Sequence, residues 1–260
     1  MLSPFMASIS RPAFKLPDPY DIHLWQLHFP LAQPYIDTWA MWLSADEHDR
    51  AQRFRRAVDR DRFILSRGGL RYLLAGYLAC SPKALSFAYN VYGKPSLADS
   101  DGLHFNLAHS QDWVVYGVGH PPFLGVDVEQ TIHRQYLDGL IQRCLTMEEQ
   151  VTLSPTAPAR LRGFLQHWTV KEAHLKAIGL GLSYPMTEVQ VAWWPEPHLV
   201  CPAVTETPTP WTVKLWHPAE DAIAAVCVGQ VDNRFWLRSF PLAGYSALGE
   251  ADSLETGRSL

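Results

Sequence analysis

The stretch PPFLGVDVEQ (121–130) sets two carboxylates inside an otherwise apolar run, and few folds can accommodate that. In an extended chain, side chains two residues apart point to the same face. Val126 and Val128 therefore pack one way while Asp127 and Glu129 face the other. With attachment points roughly 7 Å apart, the two charges repel by about 2 kcal/mol at an effective dielectric near 20. Two readings are open. The segment is an edge strand with a solvated face, or it is a site where a cation offsets the repulsion.

The rest of the chain narrows the classes of protein that can carry such a strand. At 260 residues and 47% apolar, with ten Trp, ten Tyr and eleven Phe, it is long and greasy enough for a proper core. A formal net charge of −4 argues against a general nucleic-acid binder. Cys80, Cys144, Cys201 and Cys227 form no CxxC pair, which suits free thiols in a reducing compartment better than zinc or a disulfide framework. No secretory signal and no run of membrane-spanning length is present, so the expectation is a cytoplasmic protein without a membrane partner.

Periodicity predicts mixed α and β structure. DIHLWQLHF (21–29) reads as a strand between Pro-rich turns, and Ser44 with Glu47 three residues later forms a capping box that starts a helix. A second helix is expected over 61–79, although Gly68, Gly69 and Gly76 oppose it. The segment 84–97 reads as strand–turn–strand, and 103–119 as a hairpin turning at Ser110–Asp112. In the second half, 136–153 reads as one helix, SPTAPAR (154–160) as a loop, and 160–181 as a long helix stopped by glycine. Strands are expected over 187–194, 210–218, 222–231 and 234–240, then a frayed tail. Each half runs long helix, strands, then a strand ending in Val-Gly (VVYGVGH, AAVCVGQ). The expected division is 1–122, 123–240 and a flexible tail over 241–260, a site lying between two similar α+β halves.

Candidate chemistry gathers around the acidic strand. On the helix carrying HWTVKEAHLKAIG, Glu172 and Lys176 share a face at i,i+4. By itself that is an ordinary surface pair, with Trp168 and Leu175 packing inward. With Asp127 and Glu129, Glu172 would give an oxygen-rich site for Mg²⁺, which binds a few carboxylates plus substrate phosphates. Lys171, Lys176 and His109 would suit the rest of a phosphorylated ligand. Eight arginines crowd into Arg50–Arg71, either pairing with Asp46, Asp49, Asp59 and Asp61 on a solvated surface or forming an anion-binding wall. No Walker loop, GxGxxG, HExxH or GxSxG competes.

YGKPSL, FNLAHS, LGVDVE and WTVKEAHLKAIGLGLSYP, in that order over about residues 40–192, resemble the Sfp-type 4′-phosphopantetheinyl transferases. The resemblance implies an α+β fold of two pseudo-symmetric halves, acting as a monomer with its active site in the cleft. It implies Mg²⁺-dependent transfer of phosphopantetheine from coenzyme A to a serine of an apo acyl or peptidyl carrier protein, releasing adenosine 3′,5′-bisphosphate. By motif, Asp127, Glu129 and Glu172 would hold the metal, and Lys176 would contact the phosphates. Lys94 and Pro95 would line the adenine pocket, while His109, Arg50 and Arg53 would surround the 3′-phosphate. Glu172 or a metal-bound water is the candidate base. Two positions depart from the family pattern: Ala108 stands where a serine is usual, and Glu47 where some members carry lysine. Because carriers of this kind are commonly acidic near their serine, Arg55 and Arg56 are candidates to dock them. The rival readings are a metal-dependent nucleotide pyrophosphate hydrolase and a catalytically degenerate coenzyme A-binding protein.

Overall fold

The computed structural model describes residues 13–98, 102–132, 136–201, 210–242 and 252–253. Seven helices among them are α1 (Phe29–Ala32), α2 (Ile36–Ala40), α3 (Ala45–Gln52), α4 (Ala57–Leu78), α5 (Leu137–Cys144), α6 (Met147–Thr152) and α7 (Ala157–Ile178). The strands are β1 (Asp21–His28), β2 (Phe87–Tyr89), β3 (Pro95–Leu97), β4 (His104–Ser110), β5 (Trp113–Gly119), β6 (Leu124–Gln130), β7 (Gln190–Ala192), β8 (His198–Cys201), β9 (Thr212–Ala219), β10 (Ala222–Val228), β11 (Arg234–Ser239) and β12 (Asp252–Ser253). The fold is mixed α+β. Among the described residues no helix is long and apolar enough to cross a membrane.

The chain divides into two compact units, one of residues 1–16 and 32–86, the other of 17–31 and 87–260. The first is helical. Its α4 runs unbroken through Gly68, Gly69 and Gly76, against the helix propensity of glycine. Gly68 shows why: a Cβ there would meet Trp39 Cβ at 2.4 Å, so the bare backbone admits the fully buried Trp39. Glu47 closes the capping box with Ser44 and also takes the guanidinium groups of Arg67 and Arg71 (2.8 Å to each Nε). Arg71 donates further to the carbonyls of Pro82 and Leu85. Arg67 and Arg71 are thereby core residues, and only the remaining arginines of the cluster can form a surface.

In the second unit a five-stranded sheet, ordered β12-β11-β1-β5-β4, packs against a three-stranded sheet, β6-β10-β9. Val126 and Val128 of β6 join Ile22, Val115, Val226 and Phe235 between the sheets. Helix α7 covers the other face of the smaller sheet, setting Val170 and Ala173 on Ala225 and Cys227. Strand β10 is apolar throughout because both its faces are buried. β6 is the outer strand of its sheet, but it has no solvated face: it pairs with β10 in register over its whole length, Asp127 opposite Ala225, and Leu124–Val128 are all buried.

Two expectations need correction. The single helix over 136–153 is broken at Leu145–Thr146, where Thr146 caps α6 and Glu149 completes a second capping box. That S/T-x-x-E signal stood in the sequence, beneath an apolar periodicity that runs on through it. The loop expected over 154–160 ends earlier, since α7 begins at Ala157 with Pro158 in its first turn. β12 pairs with β11, while the rest of the expected tail beyond residue 242 lies outside the described residues. A similar device then recurs in each unit. Glu149, like Glu47, reaches from a capping box to a buried base on a 22-residue helix: Lys171, which also donates to the carbonyls of Cys144 and Met186.

Gly125 sets how closely α7 lies on β6. A Cβ there would stand 2.0 Å from Ala173 O and 2.4 Å from Ala177 N, both backbone atoms that cannot rotate away. Gly125→Ala is expected to lower stability by about 3 kcal/mol. Gly139→Ala, on α5 with no atom within 4 Å of the added carbon, should instead raise it by up to about 1 kcal/mol. Urea unfolding of the two variants beside the parent checks the pair.

Candidate active site

Close seating of α7 on Gly125 carries the next residues on both elements into contact. Asp127, one strand repeat beyond Gly125, is 4% exposed. Its Oδ1 accepts a hydrogen bond from Lys176 Nζ at 2.5 Å, while its Oδ2 is buried with no hydrogen-bond partner. Glu129 accepts from Trp168 Nε1 at 3.0 Å and from Ser110 Oγ at 3.0 Å. Glu172 is 7% exposed on α7, so the surface-pair reading of Glu172 and Lys176 does not hold; the lysine's ion pair is with Asp127. Strands before and after residue 122 meet here, with Asn106 Oδ1 of β4 also accepting from Val126 N of β6 at 2.9 Å.

The electrostatics follow from that crowding. Burial and the charges of Glu129 and Glu172 push Asp127 up to about 7, only partly opposed by the Lys176 ammonium. Burial raises Glu172 as well, with Glu129 adding to the effect and Lys176 opposing it. Lys176 is held above its ordinary value because the three carboxylates together outweigh its own desolvation. One lysine does not neutralise three acids in so dry a place.

These residues suit a hard divalent cation. Among the described residues no three acidic, imidazole or thiol groups already converge into a ligand set. The fit rests on a buried oxygen left without a donor, Asp127 Oδ2, and on mutual carboxylate repulsion that a dication would relieve.

The other expected residues are distributed as follows. Lys94 Nζ donates to Ala177 O at 2.6 Å and Leu124 O at 3.3 Å, tying the β2–β3 hairpin to the end of α7; burial lowers its pKa to about 8. Asn90 reinforces this by donating to Gly179 O, and Gly179 terminates α7 in a left-handed conformation (φ 78°). Lys94 and Pro95 line a cavity of about 390 Å³ with His104, Phe105 and Phe123. They also line a second of about 220 Å³ that includes Lys176. His109 is exposed on β4, its ring in a T-shaped contact with Phe29. Arg50 and Arg53 are exposed at the end of α3, Arg50 lying over the Phe63 ring.

Lys171 must be corrected as a ligand-binding residue. It is 0% exposed and bonded to Glu149 and two backbone carbonyls, which leaves no approach for a ligand. Adjacent positions on a helix point about 100° apart, so Lys171 faces the core formed with α6 while Glu172 faces β6. Sequence reasoning also missed Ser110, whose hydroxyl orients Glu129. Its place directly after His109, on a strand beside the acidic one, was the available signal.

Residues 123–227 match the family model described as the 4′-phosphopantetheinyl transferase superfamily, and residues 31–119 match 4′-phosphopantetheinyl transferase, N-terminal. The chain is 35% identical over 224 residues to 4′-phosphopantetheinyl transferase HetI of Nostoc sp. (strain PCC 7120), covering 83% of this chain and 92% of that protein. It is 27% identical to 4′-phosphopantetheinyl transferase ffp of Bacillus subtilis over 78% of this chain and 89% of that one. With Sfp of Bacillus subtilis (strain 168) identity is 26%, over 62% and 71% respectively. The chain belongs to the 4′-phosphopantetheinyl transferase family.

Lys176→Met leaves three carboxylates without their ammonium. A fully buried broken pair costs about 3–5 kcal/mol; with the Lys176 side chain 27% exposed, a loss of ~2 kcal/mol is expected at pH 8. Asp127 already has a folded-state pKa near 7, above the ordinary 3.8, and losing the lysine raises it further. A carboxyl with a raised folded pKa favours the folded state increasingly as pH falls from that value toward its unfolded one. The Tm deficit of the variant should therefore shrink between pH 8 and pH 5.5, a change that thermal melts across that range measure.

Proposed function

We propose that this protein transfers the 4′-phosphopantetheine group of coenzyme A to a serine of an apo acyl or peptidyl carrier protein, with Mg²⁺ as cofactor and adenosine 3′,5′-bisphosphate as the second product. The observation that carries this reading is the buried, unpartnered Oδ2 of Asp127 in a cluster with two further carboxylates and a lysine, in a chain of this family. Asp127, Glu129 and Glu172 are the residues that would hold the metal. When bound, Mg²⁺ supplies charge neutralisation at the pyrophosphate.

The chain's own groups do the remaining work. Trp168 and Ser110 hold the Glu129 carboxylate in one orientation. Lys176 lines a cavity beside the carboxylates and is held protonated, so it can offset charge developing on the leaving phosphate. Glu172 is a candidate for two roles, metal ligand or base; as the base it would take the proton from the acceptor serine Oγ while that oxygen attacks the β-phosphorus and the bridging P–O bond to the α-phosphate breaks. The cavity lined by Lys94, Pro95, His104 and Phe105 would take the adenine end, with His109 as a candidate for the 3′-phosphate. The free thiols of Cys80, Cys144 and Cys227 support action in a reducing cytoplasm, and the family resemblance supports a monomer. Exposed Arg55 and Arg56 remain available to an acidic carrier surface, unlike Arg67 and Arg71.

Intact-mass spectrometry tests this directly. Apo acyl carrier and apo peptidyl carrier proteins are incubated with the protein, coenzyme A and Mg²⁺, with EDTA as control. A phosphopantetheine mass gain is expected on at least one carrier, prevented by EDTA, and reduced roughly 100-fold or more in rate by Asp127→Ala. Gain that persists in EDTA, or at parental rate in Asp127→Ala, would overturn the metal assignment. Consumption of coenzyme A without any carrier gain would favour a hydrolase.

A further inference from the structure

We infer that Lys176 acts as a placeholder cation at Asp127, so that the divalent metal and the pyrophosphate ligand enter as a coupled pair rather than independently. The inference rests on the metal-dependent reading above and adds a binding order to it. Three observations carry it. Lys176 Nζ is bonded directly to one oxygen of the carboxylate whose other oxygen has no donor. A dication on Asp127 would therefore share one carboxylate with an ammonium group, and the two positive charges would repel at short range. The accessibility of the pair is also unequal: the side chain of Asp127 is 6% exposed and that of Lys176 is 27% exposed.

The third observation is where the lysine can go. Lys176 lines the cavity of about 220 Å³ shared with Tyr92, Lys94, Asn106 and Gly179, whereas Asp127 does not line it. An anion arriving in that cavity meets the lysine before it meets the carboxylate. Drawing the ammonium toward the anion removes the competing charge from Asp127 Oδ1 and leaves both carboxylate oxygens for a cation. Metal arriving without the anion finds the lysine in place and nothing to attract it elsewhere.

Linkage makes the consequence measurable, since each ligand must strengthen the other by the same factor. Mn²⁺ serves as a spectroscopic substitute for Mg²⁺, its free concentration read by electron paramagnetic resonance in titrations without carrier protein. For the parent protein, saturating coenzyme A is expected to tighten Mn²⁺ binding by roughly tenfold or more, and saturating Mn²⁺ to tighten coenzyme A by the same factor. In Lys176→Met, Mn²⁺ alone should bind roughly tenfold more tightly than to the parent and the coupling should shrink. Lys176→Gln, which keeps a hydrogen-bond donor, gives the same comparison if the Met variant is poorly folded. Equal Mn²⁺ affinity with and without coenzyme A in the parent would overturn the inference while leaving the metal site standing. Absence of Mn²⁺ binding in every arm, with coenzyme A still bound, would overturn the metal site itself and this inference with it.

Discussion

The absence of a side chain at Gly125 lets the backbone of α7 rest directly on β6, and the site depends on that approach. A helix normally stands off a sheet by the depth of the intervening side chains. Here the Ala173 carbonyl and the Ala177 amide lie where a Cβ would otherwise project. The next residue on that face of β6 is Asp127, and Lys176 of α7 sits beside it. A larger residue at position 125 would separate the acid from its base without altering either.

Such closeness excludes water, and the excluded water must be replaced as a partner for several charges. The structure does this with donors of its own. Lys176 serves Asp127, and Trp168 and Ser110 serve Glu129, while Asp127 Oδ2 stays unserved. The carboxylates are thus stable enough to fold around yet short of positive charge. That imbalance is what equips them for a cation, and it explains why Asp127 rather than a surface acid titrates so far from its ordinary range. Farther along α7, Lys94 and Asn90 bind the last carbonyls of the helix, so the hairpin lining both cavities is fastened to the helix that carries Glu172 and Lys176.

Local signals in the sequence were read well where the responsible atoms are near in the chain. The alternation in LGVDVEQ showed which side chains share a face, and Ser44 with Glu47 showed a helix start, because both depend only on backbone periodicity and neighbouring residues. The second capping box, Thr146 with Glu149, obeys the same rule and was masked by an apolar rhythm running through it. Lys171 was misassigned for a different reason. Its sequence neighbourhood is that of the site, but its partners are Glu149, Cys144 and Met186, and helix geometry turns it away from Glu172. The glycines of α4 read as helix breakers until Trp39 is seen against Gly68.

By itself, then, the sequence determined the family, the acidic strand, the basic helix and the residue types available for phosphate chemistry. These follow from motif order and from periodicity, which a linear chain carries in full. Tertiary structure alone decided that β1 lies between β11 and β5, that Arg67, Arg71 and Lys171 belong to the core, and that Lys176 binds Asp127. Each of those depends on contacts between residues far apart in the chain. Whether a charge faces water, a ligand or a buried partner is set by what folds over it, and that information is absent from any local stretch of residues.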